Sequence, residues 1–174
     1  MKEHEFTLVI SGDLDDEATL DALFEAGCDD ATFGMVDGAG YGDFIREAPS
    51  FGEAIRTAIE NVESIGGLKV VRVEPDDLVT MAEIAERLER SRESVRLLIA
   101  GRRGPGGFPS PASHLRARSR WWRWSEVAAW ADANALPVDR ESASLIAAIN
   151  AILTLRENTA RLPVRQRELI WSLA

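Results

Sequence analysis

The chain has 174 residues, 45% of them apolar and 28% charged, enough for one or two globular cores. A net charge of −9 argues against a polyanionic partner for the average surface, the single Cys28 excludes an intrachain disulfide or a thiolate metal cluster, and His4 and His114 offer no metal-ligand spacing. No apolar run approaches the roughly 20 residues of a membrane span and Met1–Glu5 has no signal-peptide core, so the expectation is a cytoplasmic protein without membrane contact or cofactor.

The first strand is expected over Phe6–Ile10, closed by Gly12 and an acidic cluster. Leu14, Ala18, Leu20, Leu23, Phe24 and Ala26 then recur at helical spacing, with Asp15, Asp16 and Glu17 at the end where a helix dipole favours anions and Gly27 as the stop. Cys28 reads as a small buried hydrophobe before the next strand, Ala31–Val36. Asp37-Gly38 predicts a tight turn into a hairpin partner over Tyr41–Glu47. Ser50 with Glu53 three residues on predicts a capping box for a helix to about Ser64, with Ile55, Ala58, Ile59 and Val62 inward. Gly66-Gly67 ends it, and Leu68–Val73 is the last strand of a βαββαβ order. That order predicts an α+β fold whose residues 1–75 form an acidic ferredoxin-like domain, serving dimerisation or sensing. RNA binding is not expected there, because Val9–Leu14 lacks the stacking aromatic and Asp43 is an extra residue that shifts the register of the third strand.

Charge is distributed unevenly along the chain. Residues 1–79 hold 5 basic and 19 acidic side chains, net −14; residues 80–130 hold 10 and 5, net +5; residues 131–174 hold 5 of each. Polyphosphate binding depends on the local field, so the basic island matters more than the mean. Glu74-Pro75-Asp76-Asp77 reads as a hinge, after which Thr80 and Glu83 form a second capping box. Ile84, Ala85, Leu88, Val95 and Leu98 have the inward spacing of a helix-turn-helix, with Ser91 capping the second helix, residues 92–100. Glu89 stands where such a turn usually has glycine, which predicts either a strained residue or a turn of different shape. Residues 101–107 form a glycine-rich basic loop, and an arginine-rich hairpin wing is expected over 112–123. Alternation puts Trp122 and Trp124 on one face, with Trp121 and Arg123 on the other, and Ser125 is expected to cap a third helix.

The segments Ile84–Leu88, Ser91–Val95, Phe108–Pro111, and Trp122 with Ser125–Trp130 resemble the winged helix-turn-helix of AlpA-like regulators, excisionases and the MerR superfamily's DNA-binding domain. The resemblance spans residues 78–132 and implies DNA binding. A winged helix-turn-helix domain is therefore expected over 78–134, followed by a C-terminal helical extension over 139–174. In that extension Leu145, Ile146, Ile149, Ile152 and Leu153 mark one helix, and Arg165–Leu173 a shorter one after Pro163; either covers the core or forms a dimer interface.

A recognition helix reads bases with its N-terminal outward residues, which makes Arg92, Glu93, Ser94 and Arg96 the reading candidates. Arg102 and Arg103 extend the basic surface, and Arg116, Arg118 and Arg120 on the wing suit phosphates or a narrow minor groove. The expected function is a sequence-specific double-stranded DNA-binding transcriptional regulator, a homodimeric repressor without catalytic activity, leaving a protein partner or small-molecule effector to the N-terminal domain. The rival expectation is an antitoxin-like or phage-defence interaction module that does not recognise DNA directly. Asp13, Asp15, Asp16 and Glu17 lack a calcium-loop spacing, and no nucleophile-and-base pair or phosphate-binding glycine loop supports an enzyme.

Overall fold

The structure, a computed structural model, describes residues 1–114 and 119–173. Its described residues form an α+β molecule with seven helices, a four-stranded antiparallel sheet and a two-stranded sheet. The chain divides into two compact units, Met1–Pro75 with Ala148–Ala174, and Asp76–Ala147.

In the first unit β1 (Lys2–Ser11), β2 (Ala31–Val36), β3 (Ala39–Ala48) and β4 (Lys69–Glu74) lie in the order β2-β3-β1-β4, every neighbour antiparallel. Strand β1 begins four residues before the apolar run because Lys2–Glu5 pair with Ile45–Ala48 of β3; the ladder is satisfied by backbone groups, whatever the side chains. The β2–β3 turn has Asp37 at φ 51° and Gly38 at φ 80°, the two left-handed residues a tight hairpin requires. Alternate residues Phe6, Leu8 and Ile10 of β1 and Phe44 of β3 face the core, where they meet the buried Ala54, Ile55, Ala58 and Val62 of α2 (Phe51–Ser64). Ser50 caps α2 through Glu53 N–H at 3.2 Å, but the return half of the expected box is replaced: the Glu53 carboxylate accepts from Arg56 instead.

Helix α1 (Glu17–Glu25) is capped by Asp16, whose carboxylate accepts from the Thr19 N–H. The expected apolar stripe holds only in part, since Leu14 and Leu23 are buried while Phe24 is 66% exposed and Leu20 is also exposed. Cys28 is buried, and burial pushes its thiol pKa up. Beside it the buried Arg46 grips both oxygens of Asp30 at 2.7 and 2.8 Å and the Gly27 carbonyl at 2.7 Å, a cluster that satisfies its charge inside the unit.

The free edge of β4 is closed by side chains. Asn150 of α6 (Arg140–Ala160) accepts from Val73 N–H at 2.7 Å and donates to Val73 O at 2.8 Å. Three residues back along β4, Glu63 accepts from Val70 N–H at 2.9 Å and Arg156 donates to Val70 O at 2.9 Å, while Arg156 and Glu63 also pair with each other. Of the expected α6 stripe Ile146 and Leu153 are buried, but Ile152 is 65% exposed and Asn150 takes a buried position. Helix α7 (Val164–Trp171) follows Pro163 and has no buried residue. The Glu74–Pro75 peptide is cis.

In the second unit β5 (Leu78–Thr80) pairs with β6 (Trp121–Arg123), and α3 (Met81–Arg87), α4 (Arg92–Ile99) and α5 (Trp124–Ala133) gather around Val79, Ile84, Ala85, Val95, Trp122 and Val127. No helix among the described residues is long and apolar enough to cross a membrane.

Candidate nucleic-acid interface

The interface begins with the ends of α3. Thr80 accepts from Glu83 N–H at 3.4 Å and Glu83 accepts from Thr80 N–H at 2.7 Å, so the capping box is complete. Burial raises the Glu83 carboxyl pKa, but the hydrogen bonds from Thr80 outweigh it and hold the group below its ordinary value. At the other end Glu89 N–H donates to Glu86 O at 2.9 Å and Arg90 N–H to Ala85 O at 2.8 Å, the paired bonds of a Schellman turn. Glu89 adopts φ 51°, so the turn keeps its left-handed residue although that residue is not glycine. This resolves the expectation in favour of strain over a change of shape.

The turn launches α4, capped by the Ser91 hydroxyl accepting from Ser94 N–H at 3.2 Å. Val95 joins Ile84 and Ala85 in the buried cluster, the small Ala85 lets the two helices approach, and Leu98 is buried beside the loop that follows α4. Leu88 is half-buried against the same cluster. The opposite side of α4 presents Arg92, Glu93 and Arg96 to solvent, while Ser94 is half-buried. Arg96 and Glu93 form a two-bond ion pair, with Nε donating at 2.8 Å and Nη2 at 2.7 Å. That hydrogen bonding depresses the Glu93 pKa and raises that of Arg96.

Arg92 and Arg96 line a cleft of about 770 Å³ together with Thr80, Met81, Ala82 and, from the chain entering β6, Arg120. Glu93 and Ser94 do not line it. Arg102 and Arg103 are exposed on the loop after α4, where Gly104 has φ 79° and a Cβ there would stand 2.7 Å from Leu98, so the loop folds back onto the helix. Arg103 borders a second cleft of about 290 Å³ with Arg90 and Trp130. Arg90 lies in the inter-helix turn, where exposure follows from geometry and not from periodicity, so helical spacing does not mark it. Arg116 and Arg118, and with them the expected wing tip, lie outside the described residues. On either side of those residues, Ser113 and Trp121 form an antiparallel bridge.

Two further groups hold the scaffold. Trp122 is buried and its Nε1 donates to Pro109 O at 3.2 Å; Trp130 donates to Gly106 O at 2.9 Å and packs on Phe108. Trp124 packs on the same cluster as Trp122, yet it starts α5 and does not prolong the strand. The expected Ser125 cap is therefore corrected. The buried Asp77 does that work from 48 residues away, its Oδ1 accepting from Ser125 N–H at 2.7 Å, Oδ2 from Arg123 at 3.1 Å and its backbone O from Trp124 N–H at 2.6 Å. Arg87 lies 5.1 Å over the Trp124 ring and donates to Asp76 O, a half-buried cation whose pKa burial pulls down.

No three His, Cys, Asp or Glu side chains among the described residues gather as a metal site. Comparison with protein-family models, curated proteins and solved structures finds no match to the chain.

Proposed function

We propose that the chain is a sequence-specific double-stranded DNA-binding transcriptional regulator, acting as a repressor and binding without catalysis. In this reading residues 78–134 are a winged helix-turn-helix, α4 enters the major groove, and the 112–123 hairpin follows the backbone or minor groove. The observation that carries it is one cleft bordered by Arg92 and Arg96 from a helix and by Arg120 from the strand arm beside it. A groove edge and its phosphates present negative potential to the same concavity. The order β2-β3-β1-β4, with a helix in each crossover, supports a ferredoxin-like domain for dimerisation or sensing. A homodimer would pair two short half-sites into one operator.

Selection of bound duplexes from genomic DNA tests the reading. Enrichment of a defined sequence, with binding weakened by Arg92→Ala and by Arg120→Ala, is the expected result; no enrichment, or binding indifferent to both changes, rejects it. The exposed Leu169 and Trp171 of α7 favour a protein contact, as in an antitoxin-like module. A defined protein that co-purifies, and stays bound after nuclease treatment, would shift the assignment to that reading.

A further inference from the structure

We propose that Arg96 reads a guanine through the outer edge of its guanidinium, with Glu93 as the positioning residue that holds it ready; this deepens the DNA-reading proposal and rests on it. Nε of Arg96 donates to Oε2 of Glu93 at 2.8 Å, and Nη2 donates to Oε1 at 2.7 Å. That side-on pair uses the Nε–H and one Nη2 hydrogen. It leaves the Nη1–Nη2 edge unused by Glu93, two parallel donors matching the O6 and N7 acceptors of guanine. Arg96 also borders the cleft shared with Arg92 and Arg120, the concavity that the proposed base edge would enter.

The pair has little to do for the fold. Both side chains are more than half exposed, at 53% and 64%, where screening and side-chain entropy cancel most of an ion pair's benefit. Its effect falls on recognition. Holding Arg96 in one rotamer before binding removes an ordering cost from the complex. The adjacent carboxylate repels phosphate, which carries a full negative charge, far more than it repels a neutral base edge. Glu93 therefore lowers indiscriminate binding while preserving a directed contact. A lysine at the same place would supply charge without the fork.

The test uses the intact chain and a randomised duplex library. The enriched duplex is remade with each guanine in turn replaced by 7-deazaguanine, which deletes the N7 acceptor and leaves pairing and the minor groove unchanged. Wild type is expected to lose about 10-fold or more in affinity at one position. Glu93→Ala and Arg96→Ala are expected to lose that sensitivity while melting at the wild-type temperature, and Glu93→Ala is expected to bind unselected DNA more tightly than wild type. Binding of the enriched duplex with no sensitive position, or with sensitivity kept by either variant, overturns guanine reading by this pair and leaves DNA binding standing. Failure to enrich any duplex, with no salt-sensitive binding, overturns the DNA-reading proposal and this inference together.

Discussion

Glu89 holds a left-handed backbone at φ 51° because the Schellman turn between α3 and α4 needs one there, and a side chain with a Cβ adopts that conformation at a cost. Glu89→Gly should therefore raise stability by about 0.5–1 kcal/mol, read as a later urea midpoint at unchanged m-value. Asp77 acts in the other direction. Its carboxylate satisfies Ser125 N–H and Arg123 from a buried position, so Asp77→Ala should cost about 2 kcal/mol by the same measurement, with Asp77→Asn closer to wild type because one acceptor remains. Glu83 gives a pH test. Its carboxyl is held below the ordinary value of 4.5, so it contributes stability above about pH 4.5 that is lost as pH falls through the depressed value. Wild type should exceed Glu83→Gln in stability at neutral pH, and the difference should vanish in acid; a constant difference from neutral to strongly acid pH would contradict the sign.

At the scale of elements, β4 is protected by residues from two helices. Asn150 fills both hydrogen-bonding groups of Val73, while Glu63 and Arg156 fill those of Val70, so the edge offers no ladder at these residues to another strand. Asn150→Leu should leave two buried backbone groups unpaired, costing about 2–4 kcal/mol and promoting self-association visible in light scattering. None of this was legible beforehand, because Val73 and Asn150 are 77 residues apart and a lone asparagine in an apolar stripe carries no mark of its partner. Strand β5 was hidden for a similar reason, being three residues that become a strand only by pairing with Trp121–Arg123. Signals confined to one turn were readable: the Thr80–Glu83 box, the Ser50 and Ser91 caps, and the Asp37-Gly38 hairpin. Periodicity gave the spacing of Phe24 and Ile152 without revealing which arc of the helix would be covered, and both proved exposed. For the candidate site, composition identified the arginines, but meeting of Arg120 with Arg92 and Arg96 in one cleft depends on the β5–β6 pairing that local signals did not reveal.

For the whole molecule, the charge is split along the chain, −14 over residues 1–79 and +5 over 80–130, and the proposed DNA reading predicts a salt signature from the basic part. Salt screens charge interactions over about 10 Å at 0.1 M, and each arginine that contacts a phosphate under that reading releases counterions. Duplex affinity should fall linearly on a log–log salt plot, and removal of one phosphate contact by Arg92→Ala should flatten the slope by about 0.9; parallel plots for the two proteins would place Arg92 away from phosphate. The closure of β4 also orders events in time. Glu63 precedes the strand and can meet Val70 as soon as the sheet forms, but Val73 waits for an asparagine 77 residues later, about 4–15 s at ordinary rates of synthesis. If the sheet forms before residue 150 is made, its β4 edge stays open for that interval, and the pace of synthesis sets how long neighbouring nascent chains have to find it.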